Sequence, residues 1–175
     1  MAELLRRRNP AIEVHACALG DAAGHFTLYV PHLDGRPVAS RASLHQDANP
    51  GFENRAITVQ VRRLDEFEFQ NVSVLKIDVE GHERSVLDGA LDTIKRSKPV
   101  LVIEIEERHH PGQSWDMIRM VEGLGYAAHF ADANTHALRP VAEFDFATMQ
   151  NVANLKSAFG APVGMYINNF MFTPR

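Results

Sequence analysis

The stretch Val74-Leu75-Lys76-Ile77-Asp78-Val79-Glu80-Gly81-His82-Glu83, then Val86-Leu87-Asp88-Gly89-Ala90, then Val100-Leu101-Val102-Ile103-Glu104-Ile105-Glu106, decides the fold class. Val74–Val79 is rich in β-branched residues and reads as a strand that Gly81 breaks. From Glu83 the apolar residues Val86, Leu87, Ala90, Leu91 and Ile94 recur with a helical period until Pro99, and Val100–Glu106 is a second strand. After Pro111-Gly112, the residues Trp115, Ile118, Val121 and Leu124 fit a second helix, with Ser114 as its cap and Gly125 as its stop. Strand, helix, strand, helix with short connections predicts an α/β domain whose parallel sheet is covered by helices.

Upstream, Ile12–Leu19 suits a strand entering the Gly20-Asp21 turn, and His25–Val30 and Ala56–Val61 read as further strands. Met1–Arg8 reads as a short helical piece closed by Asn9-Pro10, and Ser40–Asn54 has no period and reads as loop or lid. Downstream, a turn at Asp132–His136 leads to β-like runs over Tyr166–Thr173.

Composition narrows the class. The 175 residues, 45% apolar and 23% charged, have the balance of one globular domain over residues 1–175. A chain of this length buries roughly 70% of its unfolded surface and needs no cross-link. Cys17 is the single cysteine, so a disulfide-built secreted domain is excluded. A net charge of −4 offers no field for nucleic acid, and no apolar run approaches the ~18 residues of a membrane span, so a cytoplasmic location is expected. No Gly-x-Ser-x-Gly elbow or phosphate loop is present, and Cys17 lies among apolar residues, where a packed thiol is expected.

Ligands of an open parallel sheet bind beyond the carboxyl ends of its strands. By the period of two, Lys76, Asp78 and Glu80 share one face and Leu75, Ile77 and Val79 the other. A charged row on a buried strand is costly unless its outer members reach a cleft, so Asp78 and Glu80 point at something. Glu104 and Glu106 repeat the arrangement, followed by His109-His110. Two plainer readings stay open at this point: Asp78 or Glu80 caps the helix near Glu83, or Asp78, Glu80 and Glu104 with nearby histidines hold a divalent metal.

The run Val74–Glu83 with Val86–Ala90 and Pro99–Glu104 resembles the signature of the FkbM-type methyltransferases, where it marks the fourth strand, fourth helix and fifth strand of a class I, Rossmann-like fold. Ala18-Leu19-Gly20-Asp21 with Gly24 resembles that family's third strand and turn, Leu64-Asp65-Glu66-Phe67 its approach to the fourth strand, and Asn169–Pro174 its last strand. The resemblance implies S-adenosylmethionine as cofactor and transfer of its methyl to a hydroxyl of a sugar, lipid or natural-product acceptor. It implies that Asp21 lies near the adenine amino group with Ala18 and Leu19 against the ring, and that Asp78 faces the methionine end of the cofactor. Asp78, Glu80 and Glu104 are then the catalytic candidates, with no metal needed.

The family's first strand, its Asp-x-Gly-x-x-x-Gly loop and the acid after its second strand have no counterpart in this sequence. The resemblance therefore implies a domain truncated at its amino end, a partial class I sheet with flanking helices and a C-terminal antiparallel strand pair. With the family's strand order 3-2-1-4-5-7-6, two inner edges would stand ~10 Å or more apart. The expectation that follows is weak or no cofactor binding by this chain alone. The alternatives are a non-catalytic remnant or a partner subunit whose sheet is completed by a second copy or another chain, and the metal-dependent enzyme named above.

Overall fold

The computed structural model describes residues 7–38, 41–43, 51–132, 135, 137–154 and 164–175. Its strands are β1 (Ala18–Leu19), β2 (Gly24–Leu33), β3 (Arg36–Pro37), β4 (Glu53–Arg62), β5 (Val74–Ile77), β6 (Val100–Glu104), β7 (Tyr126–Ala131), β8 (Leu138–Pro140) and β9 (Asn169–Pro174). The helices are α1 (Glu83–Asp88), α2 (Leu91–Ser97), α3 (Ser114–Gly123) and α4 (Phe146–Met149). The molecule is mixed α/β, with two sheets and flanking helices.

The first sheet has the order β1-β4-β2-β3 and the second β5-β6-β9-β7-β8. Strands β5 and β6 are parallel, as expected, with Val74 opposite Val100 and Ile77 opposite Ile103. The parallel expectation stops there in this sheet: β9 lies antiparallel between β6 and β7. In the first sheet β1 runs parallel to β4, while β2 and β4 form an antiparallel ladder of nine residue pairs from Gly24↔Val61 to His32↔Glu53.

The core sits under the second sheet. On β6, Leu101 and Ile103 are fully buried, and on β9, Phe170 and Phe172; Leu87, Ile94, Ile118 and Val121 of the helices pack with them. Each such side chain, taken wholly from water, contributes about 1.5–3 kcal/mol. Strand β5 differs. It is at the edge of its sheet, so Val74 and Lys76 are exposed while Ile77 is buried, which is how a charged residue is accommodated on this strand.

Several boundaries differ from the sequence reading. The strand expected over Ile12–Leu19 is confined to Ala18–Leu19, because β4 offers it a partner only at Val61 and Arg62. The single helix expected from Glu83 is broken between α1 and α2. The cause is tertiary: a Cβ on Gly89 would lie 2.0 Å from the Gly20 carbonyl oxygen, so the chain is pressed against the β1 turn there. Asp65 then caps α2 from outside, accepting from Thr93 N at 2.8 Å and Asp92 N at 3.2 Å. Ser114 does not cap α3; it is the first helical residue, fully buried, and Gln113 occupies the cap position. Gly125, in a left-handed conformation at φ 91°, does follow the helix end.

Of the piece expected at Met1–Arg8, Arg7 and Arg8 are helical, and residues 1–6 lie outside the described residues. The expected loop at Ser40–Asn54 gives up Glu53 and Asn54 to β4, and Ser43 pairs with Tyr29; Ser40 and residues 44–50 lie outside the described residues. At the Asp132 turn, Thr135 N donates to Asp132 at 3.0 Å, and residues 133, 134 and 136 lie outside the described residues. Among the described residues no helix is long and apolar enough to cross a membrane.

Candidate active site

Because β5 and β6 run parallel with Ile77 opposite Ile103, Asp78, which follows β5, and Glu104, the last residue of β6, lie side by side at the carboxyl edge of the sheet. Their carboxyl groups hydrogen-bond to each other. Burial first, then the hydrogen bond and negative charge of Asp78, push the Glu104 carboxyl up to about 9, with the charges of Glu106 and Glu80 adding to the effect. Glu104 is thus a neutral acid near pH 7. Asp78 is held below its ordinary value by the hydrogen bond from Glu104 and by Lys76, whose Nζ lies 3.3 Å away. Its side chain is 49% exposed, so the ionised member of the pair is the one that meets solvent.

The next turn is sharply bent. Glu80 has a left-handed backbone at φ 50° and Gly81 follows at φ 96°, an arrangement that costs a non-glycine residue of order 1 kcal/mol and needs outside support. Glu83 supplies it. Buried at the start of α1, its Oε1 accepts from Val79 N at 3.2 Å and Gly81 N at 3.1 Å, while Oε2 lies 2.6 Å from His110 Nε2. Burial alone would raise the Glu83 carboxyl; the His110 and backbone hydrogen bonds outweigh it and hold it below the ordinary range. Ser43 Oγ donates to the Glu80 carbonyl at 3.0 Å, tying the first sheet to this turn. The shared face expected for Lys76, Asp78 and Glu80 therefore ends at Asp78, because extended backbone is needed to continue the alternation.

Glu80 is redirected toward the segment after β6, with Oε2 3.3 Å from His109 Nε2 and 3.9 Å from Arg108 Nη2. Glu106, almost fully buried, is the centre of that segment. It accepts from Arg108 Nε, from Tyr166 OH at 2.9 Å and from Asn168 Nδ2 at 2.9 Å. Burial opposes its charge, but the Arg108 and Asn168 bonds prevail and keep it below its ordinary value. Asn168 also donates to Glu104, so one side chain from the approach to β9 joins the two acids of β6. Glu83, Arg108, Tyr166 and Asn168 escape sequence reasoning: their roles depend on contacts across 27 to 64 positions, and an acid in a first helical turn carries no signal beyond the dipole.

At the end of β1, Asp21 is exposed and lies against α1, where Ser85 Oγ donates to its carboxylate at 2.6 Å and accepts from its N–H at 3.0 Å. That bond holds the Asp21 carboxyl below its ordinary value. Ala18 and Leu19 are half-buried beside it. Asp21, Gly81, His82, Ser85 and His109 share a cleft of about 440 Å³, so the ends of β1 and β5 border one space. A second cavity, of about 730 Å³, follows β6 and includes Arg108, Trp115 and Phe146. Among the described residues no group of three or more His, Cys, Asp or Glu side chains is arranged to hold a metal ion. Asp78 and Glu104 are turned to each other and Glu80 to His109 and Arg108, so the three carboxylates do not converge.

A neutral acid that donates to an exposed carboxylate fixes that carboxylate's orientation and leaves its second oxygen able to accept a proton. A comparison with curated proteins gave no match. The chain is similar to the crystal structure of methyltransferase FkbM from Methylobacillus flagellatus KT, at 18% identity and a TM-score of 0.49. That similarity covers 97% of this chain and 32% of the other, so this chain spans about a third of that protein's length. The family described as "Methyltransferase FkbM domain" matches residues 2–128, well over half of the sequence. The chain belongs to the FkbM methyltransferase domain family.

Proposed function

We propose that the protein acts in S-adenosylmethionine-dependent O-methylation of a small hydroxyl-bearing acceptor, with Asp78 receiving the acceptor's proton. The observation that carries this reading is the Asp78–Glu104 pair at the ends of two adjacent parallel strands, one member exposed and ionised, the other held neutral to about 9. The family match supports methyl transfer, and the order β5-β6-β9-β7 with β9 antiparallel is what the 4-5-7-6 part of the expected strand order would give.

The residues present suit the adenine and methionine ends of the cofactor, while the loop and the second-strand acid of the family have no counterpart in this sequence. The cofactor's sulfonium and ammonium are cations, for which exposed Asp78 is a fitting counter-charge, and exposed Asp21 is an acceptor for an exocyclic adenine amine beside Ala18 and Leu19. When bound, S-adenosylmethionine supplies an electrophilic methyl: its C–S bond breaks with the electron pair left on sulfur as the acceptor's O–C bond forms. Asp78 orients the acceptor hydroxyl through a hydrogen bond and takes its proton as that bond forms. Glu104, donating to Asp78, fixes which carboxylate oxygen is available. Glu80 positions Arg108 and His109 rather than the proton.

The test is transfer of labelled methyl from S-adenosylmethionine to a panel of hydroxyl acceptors. Asp78→Asn is expected to cut the rate by about 10²–10⁴, the usual worth of a general base; equal rates in the variant and the parent protein would remove the assignment. A second reading is favoured by the edge position of β5, where Val74 is 59% exposed. In it the chain is a non-catalytic subunit whose sheet a second chain completes, and association without methyl transfer would select it.

A further inference from the structure

The cavity of about 730 Å³ that follows β6 falls in the size range of small-molecule sites, and its wall is aromatic. Trp115 meets Phe146 edge-on with ring centroids 5.4 Å apart, and Phe146 meets Phe144 at 4.9 Å. Phe144 is in turn fixed against buried Phe130 at 5.1 Å and Phe170 at 4.8 Å, so the rings form a rigid surface anchored in the core. Val152, 57% exposed, adds an apolar edge.

Several polar groups of this cavity are already engaged within the chain. The Glu107 carboxylate accepts from Gly112 N, and Glu107 N donates to Gln150 Oε1 at 2.8 Å. Gln150 spends its amide N–H groups on the carbonyls of Ile105 at 2.6 Å and Ile167 at 2.9 Å. Asp145 caps α4 through Ala147 N and the Thr148 hydroxyl, and Arg108 is neutralised by Glu106. Against the aromatic part of this wall, Trp115, Phe144 and Phe146, a polyol's hydroxyls find no partner, at a cost for each. An anionic ligand would meet the carboxylates of Glu107 and Asp145.

We infer that this cavity takes the ring of a neutral, hydroxyl-bearing aromatic acceptor, and not a sugar or a phosphate ester. Aromatic rings favour offset and edge-on contacts with rings such as Trp115 and Phe146. Arg108 lines the cavity and reaches Glu80, which sets the occupant next to the carboxylate network. The ring preference stands on the cavity alone; calling the occupant an acceptor rests on the proposed methyl transfer.

Trp115 is the only tryptophan, so a single indole N–H resonance reports on the wall. Titration with naphthol is expected to move that resonance saturably, glucose and glucose phosphate are expected to leave it in place, and Val152→Asp is expected to weaken naphthol binding by about tenfold or more. Val152 is exposed, so the variant keeps its fold, which the rest of the spectrum checks. An unsaturable naphthol response, an equal response to glucose, or unchanged binding by V152D would overturn the inference. Methyl transfer to a polyol without an indole shift would overturn it while leaving the methyl-transfer reading standing. Naphthol bound at the indole but never methylated would uphold the cavity's preference for a ring and count against methyl transfer.

Discussion

Glu104 is the residue at which environment departs furthest from sequence. In the folded chain it keeps its proton to about 9, whereas the unfolded chain releases it near the ordinary 4.5. Between these values the unfolded state binds fewer protons than the folded one, so this group makes stability fall as pH rises through the window. Glu104→Gln removes the titration. Thermal melts of E104Q are expected to match the parent protein near the lower limit and to lie increasingly above it as pH approaches the upper one. A difference between the two that does not change with pH would contradict the shared proton. The candidacy of Asp78 and Glu104 was legible in the sequence, because alternation alone puts acids at strand ends. Which of them is neutral was not, because that depends on burial and on the neighbouring charges of Glu80 and Glu106, which meet only in the folded chain.

At the scale of elements, the close approach of Gly89 to Gly20 decides where one helical period becomes two helices. Helix propensity would favour Gly89→Ala by up to about 1 kcal/mol. The added Cβ, 2.0 Å from the Gly20 carbonyl oxygen, forces backbone apart instead, and G89A is expected to lose about 2–3 kcal/mol in denaturant unfolding; a stabilised G89A would remove this account of the break. The strands β5, β6 and β9 were legible because Val74–Ile77 is rich in β-branched residues and Val100–Ile103 and Phe170–Phe172 are short apolar runs. The break after Asp88, the cap supplied to α2 by Asp65 and the support given to the Glu80 turn by Glu83 were not, since each joins elements by side chain to backbone. The aromatic wall is the same case: Trp115 and Phe146 stand 31 positions apart, and nothing local pairs them.

For the whole molecule, two separate sheets meet through the turn at Glu80, where Ser43 of one reaches the backbone of the other. The edge of β5 leaves backbone groups and Val74 exposed, and such edges recruit strands. If a second copy covers it, light scattering will give a mass above that of the monomer, and Val74→Lys, which blunts an edge with charge, will shift the protein toward monomer; a monomeric parent protein would remove this reading. The central claim is that the carboxylate pair at the ends of β5 and β6 serves methyl transfer to oxygen. It is tested most directly by following labelled methyl from S-adenosylmethionine into hydroxyl acceptors with the parent protein and Asp78→Asn side by side. The account predicts label on acceptor oxygen, reduced by about 10²-fold or more in D78N. No transfer by the parent protein, or the same rate in both, would contradict it.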